Sequence, residues 1–516
     1  MRKRLFILSV VLFSSISFLS AQTTFQKTFG SGDMSGNSIK ITYDGGYIIA
    51  GTTTATGTAN ADICLIKTDS NGDTLWTKTF GGLNTDYGNS VDQTTDSGYI
   101  VAGFMEITTG NWDGYLVKTN SSGNLVWSKI FGGTGYDIAT AVHQTIDGGY
   151  IVSGGFSITG VPANLIKFNS NGNIVWTREL ISSGGANDVK QTSDSGYIVT
   201  GSDYSDVFLA KTDASGNFLW SKTYGGTSVD RGGSVQQTMD GGYIIIGNIF
   251  DGGIGYHYSH LIKTDANGDT LWVKVYGGTV DDRGHCVQQA SDGGFIVTGL
   301  SSVYNTFISS GDVSLFKTDS IGNVLWAKAY SGISNDVGYS FSQTPDGGYI
   351  ITGLNNYPFI GKNYLYLIKT DSSGNSGCND TTWMPSVIPY SMQVSVPSFN
   401  NSSPAMIATS PVTITGGSGT VNTLCTTVGL NEITSKHLFL IFPNPSSGNF
   451  IISFERTIMK GSVEILNILG EKVFAENIFN ESKKGINLKN ILTGIYFVKV
   501  FDGEEYYCKK VIIEQE

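Results

Sequence analysis

Apolar and polar residues alternate along this chain in short runs, each ended by a glycine-centred turn, which is the pattern of half-buried strands rather than of helices. One string recurs seven times: DGGYIIAG at Asp44, DSGYIVAG at Asp96, DGGYIVSG at Asp147, DSGYIVTG at Asp194, DGGYIIIG at Asp240, DGGFIVTG at Asp292 and DGGYIITG at Asp346. Successive copies are 52, 51, 47, 46, 52 and 54 residues apart. A Gln stands three residues upstream of six of them (Gln93, Gln144, Gln191, Gln237, Gln289, Gln343). A second string alternates with the first. It reads KTDSNGDTLWTKTFGG at Lys67 and KTDANGDTLWVKVYGG at Lys263, with close copies at Lys118, Lys211 and Lys317, a looser one at Lys167, and one at Lys369 that stops after Asn375. Trp76, Trp127, Trp176, Trp220, Trp272 and Trp326, six of the eight tryptophans, hold one position in it.

Each unit reads as four strands; in the fifth copy these are residues 234–238, 243–247, 260–264 and 270–276. Asp-Gly-Gly or Asp-Ser-Gly joins the first pair because glycine supplies the positive φ of a tight hairpin. Asp-x-x-Gly-Asn/Asp joins the second pair, the Asp side chain capping the turn. Small four-stranded units at this period predict an all-β fold, a seven-bladed β-propeller over residues 22–376. A stacked β-solenoid is the alternative, and hairpin turns suit it less. The tryptophans are expected to plug the space between blades, each worth roughly 4–6 kcal/mol of gross burial.

The seventh unit lacks its Trp strand. Thr24-Phe25-Gln26-Lys27-Thr28-Phe29-Gly30 aligns with Leu75–Gly81, with Phe25 at the Trp position, so the N-terminal strand is expected to close the ring. Trp383, displaced by an insertion, is the competing candidate.

The two ends differ in texture from the array. Arg2, Lys3 and Arg4 precede an apolar run from Leu5 to Leu19, and Ala21/Gln22 offers a small-residue cut, the pattern of a signal peptide over residues 1–21. Residues 377–434 hold five of the ten prolines among Ser, Thr and Asn and read as an extended spacer, with room for short strands. Over residues 435–516, Phe450, Ile452 and Phe454, then Val463 and Ile465, then Tyr496, Val498 and Val500 alternate inward. This predicts a small Ig-like β-sandwich of roughly seven strands.

Composition narrows the chemistry. A net charge of −11 without basic clusters excludes a nucleic-acid partner. Of five cysteines, Cys64 and Cys286 fall in strands, Cys378 and Cys425 bracket the spacer and are the expected disulfide, and Cys508 stands alone. Both tight turns lie on one face of the ring. The connection after the second strand lies on the other and varies, with 16, 15, 13, 10, 16, 18 and 16 positions from Gly to Lys. That face carries Asn111-Trp112-Asp113, Tyr256-His257-Tyr258 and Tyr304–Phe307, a surface suited to an extracellular glycan or protein ligand. Asp86, Asp137, Asp230, Asp282 and Asp336 recur between blades and are expected to order their own turns rather than ring a cation. Asp69–Asp73 lacks the distal Glu of a calcium loop. His257 and His260 are the one close histidine pair, and strand spacing puts them on opposite faces. No nucleophile elbow, phosphate loop or paired carboxylate stands out, so no catalytic, cofactor or metal residue is assigned.

Two resemblances add to this. The array is similar to repeats common in secreted bacterial proteins. Its Asp-x-x-Gly…Trp portion partly resembles quinoprotein dehydrogenase repeats and the sialidase Asp-box, without the spacing or cysteines of either. The sequences FPNPSSGNFIISF, VEILNILGEKV, INLKNILTGIYFVKV and the terminal KKVIIE resemble the type A C-terminal sorting domain of the type IX secretion system. By that resemblance Pro443, Asn444, Pro445, Gly448, Leu469, Gly470, Glu471, Gly494, Tyr496 and Lys510 belong to the recognised pattern. The partners implied are the secretion machinery and its sortase-like peptidase, and the destination is the cell surface or the medium, with no membrane span in the mature chain. The function expected is a non-catalytic binding or adhesion propeller, against a propeller enzyme acting on extracellular glycans or, further off, a quinoprotein.

Overall fold

The computed structural model describes residues 23–30, 33–54, 60–133, 135–155, 163–181, 184–252, 255–277, 281–302, 311–330, 335–357, 362–388, 392–395, 407–409, 414–415, 421–427, 439–444, 446–467, 472–488, 491–502 and 506–513. They fall in two compact units, residues 22–427 and the C-terminal residues from 428. Both are all-β among the described residues, and no helix there is long and apolar enough to cross a membrane.

In the larger unit seven antiparallel sheets stand in a propeller-like ring. Their first strands, Met34–Ile41, Asp86–Gln93, Ile138–Gln144, Gly185–Gln191, Val229–Gln237, Asp282–Gln289 and Asp336–Gln343, touch one another in a closed cycle around the axis. The second strands explain why this is the stable arrangement. Ile244, Ile245 and Ile246 of Tyr243–Asp251 are all fully buried, because both faces of a middle strand press on a neighbouring sheet. Polar side chains appear mainly on the first strands, which face the axis, and on the outer strands.

The N-terminal strand Thr24–Phe29 pairs antiparallel with Lys362–Thr370 and completes the seventh sheet. Trp383 is not in that sheet; its amide donates to Ala327 O at 3.3 Å, and its ring packs between the fifth and sixth sheets.

The proline-rich segment is more than a spacer. It runs backwards around the rim and, among the described residues, adds an antiparallel outer strand to six of the seven sheets. Asp380–Thr382 pairs with the sixth sheet, Ser386–Ile388 with the fifth and Gln393–Ser395 with the fourth. Ile407–Thr409 pairs with the second, Ile414–Thr415 with the first, and Val421–Thr427 with Thr24–Phe29 of the seventh. An outer strand left open would be a template for unwanted pairing, and this belt covers it.

The smaller unit has two sheets. Phe439–Phe442, Asn449–Ile458 and Glu481–Asn487 form one; Lys472–Ile478, Gly461–Asn467, Gly494–Phe501 and Tyr506–Ile513 form the other. Phe450, Ile452, Val463, Ile465, Val498 and Val511 fill the space between them, so the inward alternation read from the sequence is the core.

Candidate functional site: the axial channel and its open mouth

The residues that repeat are bound up in holding the ring. Six of the seven third-strand Lys residues are buried, and the Nζ of each reaches the hairpin Asp of its own sheet: these pairs, from Lys67–Asp44 to Lys369–Asp346, measure 2.8–3.0 Å. Lys317 pairs with Asp292 in the same way. Five of the six repeated Gln residues, Gln93, Gln144, Gln191, Gln237 and Gln289, tie one sheet to the previous one. Gln289 accepts from the Met239 amide at 2.8 Å and donates to Gly293 O at 3.1 Å. The tryptophans are half-buried rather than enclosed. Each ring lies 5.7–5.9 Å from the Tyr or Phe that opens the second strand of the next sheet, as Trp272 does from Phe295. Each also covers the next turn glycine: a Cβ on Gly322 would meet Trp272 at 3.0 Å.

The recurrent aspartates turn inward. Asp86 and Asp137 accept from the Gly82 and Gly133 amides at 2.6 and 2.7 Å, and Asp336 accepts from Asn355 at 3.0 Å. The fold also makes carboxyl pairs that sequence spacing hid. Asp62 and Asp86, from adjacent sheets, both crowd Gly81, and Asp113 and Asp137 crowd Gly132. Burial, then the neighbouring Asp62 and Glu106, push Asp86 up to about 7. Burial, then Asp137, push Asp113 up to about 6.

Every first strand carries a bulge at one position, holding in turn Asn37, Asn89, Thr140, Asn187, Gly233, His285 and Tyr339. A bulge adds one residue to one strand and re-aims its side chain. Here it turns these seven toward the axis. Asn37, Asn89, Thr140 and Asn187 each donate to a backbone carbonyl of the next sheet at 2.7–2.9 Å, and His285 meets Tyr339 edge-on at 5.4 Å. A small residue, Gly or Ala, precedes each bulge. Space requires it, since a Cβ on Gly36 would sit 2.1 Å from Thr352 Oγ1.

Together these strands enclose an axial cavity of about 520 Å³ with polar walls. In it Lys190 Nζ lies 2.8 Å from both Asp188 Oδ1 and His143 Nε2, and His143 Nδ1 is 3.4 Å from Asp92. Burial works against Asp188, but Lys190 and His143 outweigh it and hold its carboxyl well below the usual range. These side chains form a mutually satisfied charge cluster.

On the variable-loop face the cavity opens sideways at the junction of the fifth and sixth sheets. Arg231, Asn248, Phe250, His257, Arg283 and His285 line a space of about 440 Å³ there. Strand register builds it: Arg231 lies opposite Asn248, Val229 opposite Phe250, and Phe250 opposite His257. Asp281 fixes two of these groups, bonding His257 Nδ1 at 2.8 Å and Arg283 at 2.8–2.9 Å. Burial and then Arg283 push His285 down to about 4, so its ring is neutral. Trp112 forms a separate aromatic cluster with Phe104 and Tyr87.

The two close histidines are parted as expected. His260 is fully buried between sheets and pushed down to about 3 by burial, remote in role from His257. Asp69 Oδ1 caps its own turn, accepting from the Asn71 and Asp73 amides at 2.9 Å. No group of three or more potential ligands among the described residues is arranged to hold a metal. Cys64 and Cys286 are free, and Cys378 is disulfide-bonded. The side chains of Cys425 and Lys510 lie outside the described residues, as do Ala21, Gln22, Tyr304–Phe307, Pro445, Leu469, Gly470 and Glu471.

In the smaller unit the described signature residues pin the first turn to the last strand. Asn444 Oδ1 accepts from the Ile512 amide at 2.8 Å, just after Pro443. Gly448, at φ 99°, accepts from the Leu488 amide at 2.9 Å. The Tyr496 hydroxyl donates to Leu492 O at 2.9 Å, and a Cβ on Gly494 would touch its ring.

It is the tail that marks the protein as an exported one. Residues 440–514 match the family model of the secretion system C-terminal sorting domain, so the type IX sorting tail read from the sequence is present. No curated protein matches the chain. Among solved structures it is similar to Sqt1 from Chaetomium thermophilum, at 10% identity over 68% of this chain and 99% of that one, TM-score 0.42. It is also similar to a protein of unknown function from Bacteroides caccae, at 13% identity over 59% and 93%, TM-score 0.33.

Proposed function

We propose that the chain is a closed seven-bladed β-propeller, exported by the type IX system through an Ig-like sorting domain and acting as a non-catalytic binding or adhesion module. A signal peptide cut between Ala21 and Gln22 takes it to the periplasm. The secretion machinery then reads the tail, which a sortase-like peptidase removes at the surface.

One observation supports the binding role above the others. The repeated Lys, Asp, Gln and Trp side chains are engaged in the scaffold, whereas the space beside the channel is lined by residues, among them Arg231, Phe250, His257 and Arg283, that differ from those at the matching positions of most other sheets. Function carried on variable loops over a rigid frame is the usual division of labour. The rival, a glycan-acting enzyme, draws on the raised carboxyl of Asp86, yet that residue is fully buried. Glycan-array binding without product release is the expected result, and turnover abolished by one carboxylate substitution would overturn it. Removing residues 438–516 should strand the protein in the periplasm; normal surface display of that truncation would refute the sorting role.

A further inference from the structure

We propose that the side cavity between the fifth and sixth sheets, continuous with the axial mouth, binds a carboxylate-bearing saccharide chain. This rests on the binding-module reading and adds the ligand's chemistry to it.

Charge is the first argument. The chain has six arginines and a net charge of −11, yet two of the six, Arg231 and Arg283, converge on this one space. Arg283 is oriented by Asp281, whereas Arg231 is exposed and has no carboxylate partner among the described residues. A guanidinium offers a planar fork that matches a carboxylate with two parallel bonds. Shape is the second. Phe250 and His257 both line the cavity, their rings 4.9 Å apart and tilted at 45°, and give it an aromatic wall suited to a partly apolar ligand such as a sugar.

Continuity is the third. Arg231, Asn248 and His285 line both this space and the roughly 450 Å³ mouth above the axis, whose walls carry Asn37, Asn89 and Asn187. Amide side chains suit a polyhydroxylated chain. Where the other sheets place larger groups at the bulge, the fifth has Gly233, and this keeps the passage open. A Cβ there would meet nothing nearer than 3.4 Å, so the gap is not demanded by packing.

The test is calorimetric titration of the full chain with three probes: oligogalacturonate, the same oligomer with its carboxyls reduced, and polyglutamate. Oligogalacturonate should bind, and the other two should bind at least about tenfold more weakly, the loss of one charge-assisted contact. Arg231→Gln should cost the uronate about tenfold. Gly233→Asn, which installs the residue three other sheets hold, should do likewise with unchanged thermal unfolding. Equal binding of the carboxyl-reduced oligomer, or an unaffected Arg231→Gln, overturns the carboxylate claim and leaves the binding-module reading standing. Equal, Arg231-dependent binding of polyglutamate overturns the saccharide, and binding of none of the three overturns the proposal as a whole.

Discussion

Phe25 covers Gly72: a Cβ on that glycine would sit 2.5 Å from the Phe25 ring. Six tryptophans cover the matching glycines elsewhere, so this contact is the seam of the ring, where the first strand of the chain meets the first turn of the array. Phe25 is fully buried. Phe25→Ala should cost about 3–4 kcal/mol by removing a core aromatic, whereas Phe25→Trp should hold or raise stability. Chemical denaturation of the three proteins checks this.

Gln289→Ala should be a cleaner probe of cohesion between neighbouring sheets. It removes one bond to the Met239 amide of the fifth sheet and one to its own hairpin. A loss of about 0.5–1.5 kcal/mol is expected, since water can reach the freed Met239 amide, read as a lower urea midpoint at unchanged slope.

Stability should peak at mildly acidic pH. Burial opposes ionisation of six of the hairpin aspartates, but their Thr and Lys partners outweigh it and lower them, Asp96 and Asp240 to about 2; Asp292, without a Thr partner, is lowered chiefly by Lys317. Their contribution is present above the unfolded value near 4 and is lost as pH falls toward 2. Burial raises Asp86 and Asp312 to about 7. Their contribution is complete below about 4 and is lost as pH rises through 7. Melting temperature against pH should therefore fall on both sides. The double change Asp86→Asn, Asp312→Asn should flatten the alkaline side alone.

Non-reducing peptide mapping should find Cys378 joined to Cys425. The backbone favours it: Gln26 donates to Cys378 O at 2.5 Å, and Cys425 is the register partner of the same Gln26. A loop of that length contributes about 4 kcal/mol in the chain-entropy account, so a reductant should lower the melting temperature. Linkage of Cys378 to Cys508 instead would contradict the assignment.

What the sequence revealed, and what it hid, follows from locality. Turn glycines, the hairpin Asp, the Trp position and the Phe25 alignment are set by neighbours in the chain, and the structure places the N-terminal strand where that alignment put it. The belt strands were obscure because two or three residues such as Ile414–Thr415 have no period of their own; they take their conformation from another strand's open edge. The channel lining was obscure for a different reason. A bulge shifts the two-residue alternation by one, so Asn187 and Arg231 cannot be assigned to a face by counting. The carboxyl pairs join residues of different sheets, which no local spacing reports.

The belt has an evolutionary consequence. Arrays of this kind change size by gaining or losing whole repeats. Here the rim strands follow the sheets in reverse order, from the sixth to the first, and the last of them closes on the seventh. Duplicating one repeat would widen the circle without lengthening its girdle, and deleting one would leave slack. The size of the ring is thus recorded twice in the chain, once in the repeats and once in the order and length of the segment that wraps them, and the two records can change only together.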